Sequence, residues 1–151
     1  VGMVRDDLVS KVFNISESQI DDKVNELLNL INNEREKNGL IKLQILPRLQ
    51  EIAMTKAEDM VKSNYFSHES PSYGNPFDMM KNFGITYKSA GENIAGNSNI
   101  EGAFNSWLLS ENHKQNILST AYNYIGIGIS PSEKYGYIIV AMFIRKIASR
   151  Y

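Results

Sequence analysis

Four side chains of this sequence have the chemistry to share one site: His68, Glu92, Glu111 and His113. His68 and His113 are the two histidines of the chain. A neutral imidazole can hold a metal through one ring nitrogen while the other nitrogen donates a hydrogen bond. Two imidazoles together with carboxylates are an acceptable ligand set for zinc, with one position open for water. The four residues therefore predict one shared cleft, in which a divalent cation held by His68 and His113 is one of the interpretations.

The spacing around His113 predicts a break between two helices. Glu111 follows Trp107 by four residues, so both share the apolar face of one helix. We expect the Glu111 carboxylate to be buried there and paired with an imidazole, since an unpaired buried charge is costly. Glu111 and His113 are two residues apart and point away from each other on a continuous helix. Both line one cleft only if the helix breaks within residues 110–112. His113 then lies in the first turn of a second helix, whose dipole favours a neutral ring.

Two interpretations of these residues stay open from the sequence alone. A His–Glu pair in a partly buried site is often a satisfied polar network without further chemistry. Alternatively, the histidines hold an ion and Glu92 or Glu111 acts as general base on its water, as in a metal-assisted hydrolase. Other hydrolase patterns do not match, since Ser67-His68 lacks a strand-to-helix elbow and the chain has no His-Glu-x-x-His pair.

Apolar periodicity predicts the helices that position the site. Residues 16–19 carry a helix-start pattern, and apolar residues at three- and four-residue steps continue to a stop at residues 38–39. A second helix begins at Pro47, where the missing N–H has no cost. Residues 65–76 are rich in Ser, Pro, Gly and Asn, which places His68 on a loop.

The last third of the chain predicts a β-hairpin. Residues 124–130 alternate, with isoleucines on one face and two glycines, Gly126 and Gly128, on the other. Small residues there would let a helix pack closely on the strand. Residues 137–144 are almost wholly apolar, which is typical of a central strand covered on both faces. The segment around Glu92 is flanked by glycines and predicts a short strand or a turn.

Composition bounds the class of protein. A chain of 151 residues fits one domain and buries enough surface to fold without disulfides. It has no cysteine, so a disulfide scaffold is excluded. Sixteen basic and seventeen acidic side chains leave no strong field for nucleic acid. No apolar run approaches the roughly 18 residues of a transmembrane segment. The predicted fold class is α+β: a three-layer α-β-α sandwich with a small, mainly antiparallel central sheet.

Four motifs in order give the sequence a specific resemblance. They are Phe66-Ser67-His68, Gly91-Glu92-Asn93-Ile94-Ala95, Trp107-x-x-Ser110-Glu111-x-His113-Lys114-x-Asn116-Ile117-Leu118 and Ile125-Gly126-Ile127-Gly128. Together they resemble a bacterial CAP domain, also called an SCP-like extracellular domain. That superfamily groups cysteine-rich secretory proteins, antigen-five allergens and plant pathogenesis-related proteins.

The resemblance implies a cleft with two histidines and two acids, which map to His68, Glu92, Glu111 and His113. In some family members the two histidines hold zinc or another divalent ion. Bacterial members often carry Gln before the final Met-Phe, whereas Ala141 stands there in this chain, so no role of that Gln carries over. The resemblance predicts a CAP domain over residues 23–148 and an N-terminal extension or tether over residues 1–22.

The resemblance also implies secretion or display at the cell surface, with a leader or anchor segment removed and a possible lipoprotein origin. The leading hypothesis is a binding or interaction module without demonstrated catalysis. Its partner would be a protein, a lipid or another cell-envelope ligand. The alternatives are a metal-assisted, protease-like hydrolase and a lipid- or sterol-binding protein.

Overall fold

The computed structural model describes residues 15–146. In chain order its elements are helix α1 (Glu17–Lys37), strand β1 (Gln44–Ile45), helix α2 (Pro47–Lys62), helix α3 (Pro76–Asn82), strand β2 (Tyr87–Asn97), helix α4 (Ile100–Leu108), helix α5 (Glu111–Ile117), strand β3 (Tyr124–Ser132) and strand β4 (Gly136–Lys146). The predicted tether falls mainly on residues 1–14, outside the described residues. The predicted boundary after residue 22 lies within α1.

Local signals place the helix ends where the sequence predicts them. Ser16 and Gln19 form a reciprocal capping box at the start of α1, which satisfies backbone N–H groups that have no helical partner. The helix ends at Lys37 with Asn38 as its C-cap, and Gly39 follows with φ of 75°. Pro47 is the first residue of α2. These ends fix the length of the helices that cover the sheet.

The sheet has the strand order β1-β3-β4-β2. Strand β1 pairs with β3 in parallel, and the other two pairings are antiparallel. The hairpin of β3 and β4 and the central position of β4 are therefore confirmed. Strand β2 is an edge strand and is longer than the short segment predicted, because it pairs with β4 along almost its full length.

Both faces of the sheet are covered by helices. One core contains apolar residues of α1, α4 and α5 together with Ile127 and Phe143. The other contains residues of α2 and α3 together with Val140 and Met142. Alternate residues of β4 thus enter opposite cores, as a doubly covered strand requires. The predicted α+β sandwich is confirmed.

Two glycines of β3 let α2 lie directly on the sheet. A Cβ atom added at Gly126 would lie 2.4 Å from the carbonyl oxygen of Leu49. One added at Gly128 would lie 2.1 Å from the carbonyl oxygen of Ala53. Both contacts are with backbone, which cannot rotate away as a side chain can. The close approach predicted from the glycine pattern is confirmed, and it sets the height of α2 above the sheet.

Candidate functional site

Strand β2 presents Glu92 to the loop that carries His68. The Nδ1 atom of His68 lies 2.6 Å from Oε1 of Glu92. The Glu92 side chain is 1% exposed, whereas that of His68 is 52% exposed. A carboxylate can only accept a hydrogen bond, so Nδ1 carries the proton and Nε2 carries the lone pair. The bond fixes the Nδ1 edge of the imidazole against Glu92, and Nε2 takes no part in it.

Hydrogen bonds with residues of α2 hold the loop that carries His68. Lys56, which is fully buried, donates from Nζ to the backbone carbonyl of His68. Asp59 accepts hydrogen bonds from the hydroxyls of Tyr65 and Ser70. Burial lowers the pKa of Lys56, while the negative charge of Glu92 acts in the opposite direction. The sequence indicated that Lys56 lies on the apolar stripe of α2 but not what its ammonium contacts.

The chain breaks between α4 and α5 as predicted. Helix α4 ends at Leu108, and Glu111 begins α5 with Ser110 as the residue before it. His113 lies in the first turn, and its Nδ1 lies 2.9 Å from Oγ of Ser110. The His113 ring stacks on Trp107, with ring centroids 6.5 Å apart and planes inclined by 25°. The indole of Trp107 donates to a backbone carbonyl of β2, which fixes the surface on which the His113 ring packs.

The surroundings of His113 favour its neutral form. Burial lowers its pKa below the ordinary value, and a positive charge on His68 would lower it further. A neutral His113 with Oγ of Ser110 accepting from Nδ1 has its lone pair on Nε2, as His68 does.

Glu111 does not take the position predicted for it. Its side chain is exposed, and its carboxylate contacts Nε2 of Gln115 at 3.5 Å. Among the residues described, no ion pair joins Glu111 to either histidine. The prediction of a buried Glu111 paired with an imidazole is wrong, because it placed Glu111 on the same helical face as Trp107. The chain breaks at Ser110, and Glu111 is the first residue of a new helix with a different orientation.

An amide network that the sequence analysis missed joins β2 to α5. Asn93, which is fully buried, donates to the carbonyl of His113 at 3.0 Å. Asn116 donates to the side-chain oxygen of Asn93 at 2.8 Å and is in contact with the Tyr122 hydroxyl. A Cβ atom at Gly91 would lie 2.8 Å from Oδ1 of Asn116. The signal was present as Gly91 and Asn93 around Glu92, but no local rule connects them with Asn116.

Comparison with known proteins now decides the family. Residues 28–143 match the sequence profile of CAP, the cysteine-rich secretory protein family. This chain belongs to that family. The matched segment contains His68, Glu92 and His113.

Relatives of this CAP domain occur in other bacteria. YkwD of Bacillus subtilis is 48% identical over 122 residues, which cover 80% of this chain and 46% of YkwD. YlbC, a membrane protein of the same organism, is 38% identical over 128 residues, covering 83% of this chain and 35% of YlbC. The chain therefore spans less than half the length of either relative.

Solved structures share the fold. An extracellular protein with an SCP domain from Bacillus anthracis superposes with a TM-score of 0.79 and 28% identity, over 87% of this chain and 44% of that one. An outer surface protein of Borrelia burgdorferi superposes with a TM-score of 0.77 over 83% of this chain and 94% of that one. At 21% identity the second likeness concerns the fold alone.

A divalent ion bound at His68 and His113 would have two imidazoles as its protein ligands. A metal-binding histidine usually donates its other ring N–H to a carboxylate or another acceptor, which orients the ring. His68 has this arrangement with Glu92, and His113 has it available with Ser110. Within residues 15–146 no group of three or more His, Asp or Glu side chains could hold a metal ion. The chain itself would therefore supply two nitrogen ligands, with water or a bound partner completing the set.

The lowered pKa of His113 predicts acid destabilisation of the metal-free domain. Its folded-state pKa lies below the unfolded value of about 6.5, so between the two the unfolded chain binds more protons. This contribution to stability is complete above pH 6.5 and is lost as the pH falls through the folded-state pKa. Urea denaturation with chelator present, at pH 7.5 and 5.5, measures it. His113→Gln should reduce the difference between the two pH values, and an unchanged difference would contradict the prediction.

Proposed function

We propose that this CAP domain is a secreted or surface-displayed binding module whose cleft takes a divalent metal through His68 and His113. The observation that carries the proposal is the bond between exposed His68 and buried Glu92. Burial of a carboxylate is unfavourable in free energy. Here the buried carboxylate orients the imidazole and leaves Nε2 outside the hydrogen bond. The partner bound at this cleft would be a protein or another cell-envelope ligand that completes the coordination of the ion.

The position of Glu92 favours binding over hydrolysis. A general base must reach the water from which it takes a proton, within hydrogen-bond distance. The Glu92 side chain is 1% exposed and one of its oxygens faces His68. Its other oxygen is buried. Glu92 is therefore suited to orient the imidazole rather than to activate a water in the open cleft.

Location outside the cell is supported by a structural relative. The protein from Bacillus anthracis, which is 28% identical to this chain, is an extracellular protein. None of the helices within residues 15–146 is long and apolar enough to cross a bilayer. We propose the same location for this domain, reached through a leader or an anchor.

Calorimetric titration of Zn²⁺ into the metal-free domain tests the proposal. We expect saturable binding of one ion per chain. His68→Ala and His113→Ala should each weaken it by about 100-fold, at or beyond the upper end of the loss seen when a ligand-supporting residue is removed. The matched control is Glu101→Gln, an exposed substitution on α4 that should leave the affinity unchanged. Absence of saturable binding, or equal affinity of the histidine variants and the control, would overturn the metal site.

An apolar groove supports lipid or sterol binding as a second candidate. The groove has a volume of about 580 Å³, within the range of small-molecule sites. Its lining includes Met60, Tyr65, Phe66, Tyr135 and Ile138. Phe66 is 42% exposed there, which is unusual for a large apolar side chain in a concave surface. Saturable uptake of a fluorescent sterol by metal-free protein would favour this function over the metal-dependent one.

A further inference from the structure

A lysine without any exposure lies beneath the His68 loop. Lys56 is 0% exposed, and lysine is almost never fully buried unless its charge is compensated. Its ammonium group donates to the backbone carbonyl of His68. The charges that act on it are those of Glu92, Asp59 and Glu69, in that order. The lysine thus contacts the backbone of the same residue whose ring is bound to Glu92.

We propose that Lys56 is a positioning residue for the cleft imidazole. His68 is held at two points by groups of opposite charge, its carbonyl by the Lys56 ammonium and its Nδ1–H by the Glu92 carboxylate. A ring hydrogen bond alone leaves the backbone of an exposed loop residue free to shift. The hydrogen bond from Lys56 fixes the backbone of His68, so that Nε2 of its ring keeps one direction toward the cleft.

Neighbouring contacts support a role at His68 rather than a general role in the core. Asp59 fastens the same loop through Tyr65 and Ser70, on either side of His68. A pair of backbone hydrogen bonds between Ser70 and Gly74 then closes the loop. The chain near His68 is therefore already held by uncharged donors to Asp59. The buried ammonium adds a bond at His68 itself, the residue whose ring reaches the cleft.

Nitrogen NMR of the imidazoles in metal-free protein tests this inference independently of zinc. In the wild type we expect the His68 ring as the Nδ1–H tautomer, because a carboxylate only accepts. Lys56→Met keeps the length of the side chain and removes its donor and charge. We expect the Nε2–H tautomer to become substantially populated in this variant. Lys62→Met, an exposed substitution on the same helix, is the matched control and should keep the wild-type tautomer.

Zinc titration of the same proteins gives a second readout, which rests on the proposed function. Lys56→Met should weaken Zn²⁺ binding by about 10- to 100-fold, the usual effect of losing a residue that orients a ligand. A wild type that binds no zinc would defeat the proposed function, while the tautomer comparison would still decide the role of Lys56. A folded Lys56→Met protein with the wild-type tautomer would overturn that role.

A measurement on the unaltered protein covers the case in which Lys56→Met does not fold. An ammonium that is buried and bound to a carbonyl exchanges its protons slowly and gives a resolved ¹H–¹⁵N signal. We expect such a signal for Lys56, with nuclear Overhauser contacts to His68, and none for exposed Lys62. Proton exchange at Lys56 as fast as at Lys62 would show that the ammonium does not hold the His68 carbonyl, and would overturn the inference.

Discussion

Replacing Gly128 with alanine is expected to lower the free energy of unfolding by about 3 kcal/mol or more. Overpacking a well-packed core typically costs about 1–3 kcal/mol. The clash here lies at the upper end, because the new Cβ would be 2.1 Å from the Ala53 carbonyl oxygen and 2.3 Å from its carbon. Relief requires α2 to move away from the sheet as a unit. Urea denaturation at pH 7.5 measures the change.

The control for this substitution is Gly102→Ala. The added Cβ at Gly102 would meet side-chain atoms of Asn99 and Asn97, which can shift. Alanine also favours the helix by about 1 kcal/mol over glycine, which offsets a weakened cap from Asn99. We expect a change within about 1 kcal/mol. Equal effects of the two substitutions would mean that α2 does not rest on the glycines of β3.

The displacement of α2 should reach the cleft. Lys56 is three residues beyond Ala53 on the same helix, and it donates to the His68 carbonyl. A shift of α2 away from β3 therefore moves the group that holds His68. Packing at Gly128 and orientation of the imidazole are linked through one helix, which is why the glycine pattern of β3 belongs to the description of the site.

The fold could be predicted because its signals are local and repeat along the chain. The capping box at Ser16, the proline at the start of α2 and the alternation in β3 each specify an element within a few residues. The length of β2 could not be predicted in this way. Its glycines weaken the local strand signal, and pairing with β4 rather than propensity extends it from Tyr87 to Asn97.

The site could be predicted only in part, for a similar reason. Histidine is rare in this chain and its chemistry is distinctive, so His68 and His113 stood out together with Glu92. Glu111 was misplaced because a helical face was continued across a break that the same analysis predicted. Lys56 and Asn93 were missed because their partners, the carbonyls of His68 and His113, are backbone atoms and leave no trace in the sequence.

One edge strand positions both histidines from its two faces. Successive residues of a strand point to opposite sides. Glu92 faces the His68 loop on the side of α2, and Asn93 faces the carbonyl of His113 in α5. Because β2 lies at the edge of the sheet, residues from the two helical layers can meet beyond it. The His68 loop and helix α5 are therefore both attached to β2, one from each helical layer of the sandwich.

Glu92→Gln is expected to destabilise the domain by about 3 kcal/mol at pH 7.5. It leaves a neutral amide oxygen to accept from the His68 ring and removes the negative charge that acts most strongly on buried Lys56. Removing one member of a buried charge pair typically costs about 3–5 kcal/mol, because the other charge is left without compensation. The exposed substitution Glu101→Gln serves as the control and should change stability by less than about 0.5 kcal/mol.

A double-mutant cycle with Lys56→Met separates the charge from the ring contact. If Glu92 and Lys56 compensate each other, the double variant is less destabilised than the sum of the single variants by about 1–3 kcal/mol. The Nε2–H tautomer of His68 should become populated in both variants that carry Lys56→Met, since each lacks the hydrogen bond to the His68 carbonyl. Additive losses in stability would show that the two buried charges do not interact. The lysine would then act on His68 through its carbonyl alone, and Glu92 through the imidazole alone.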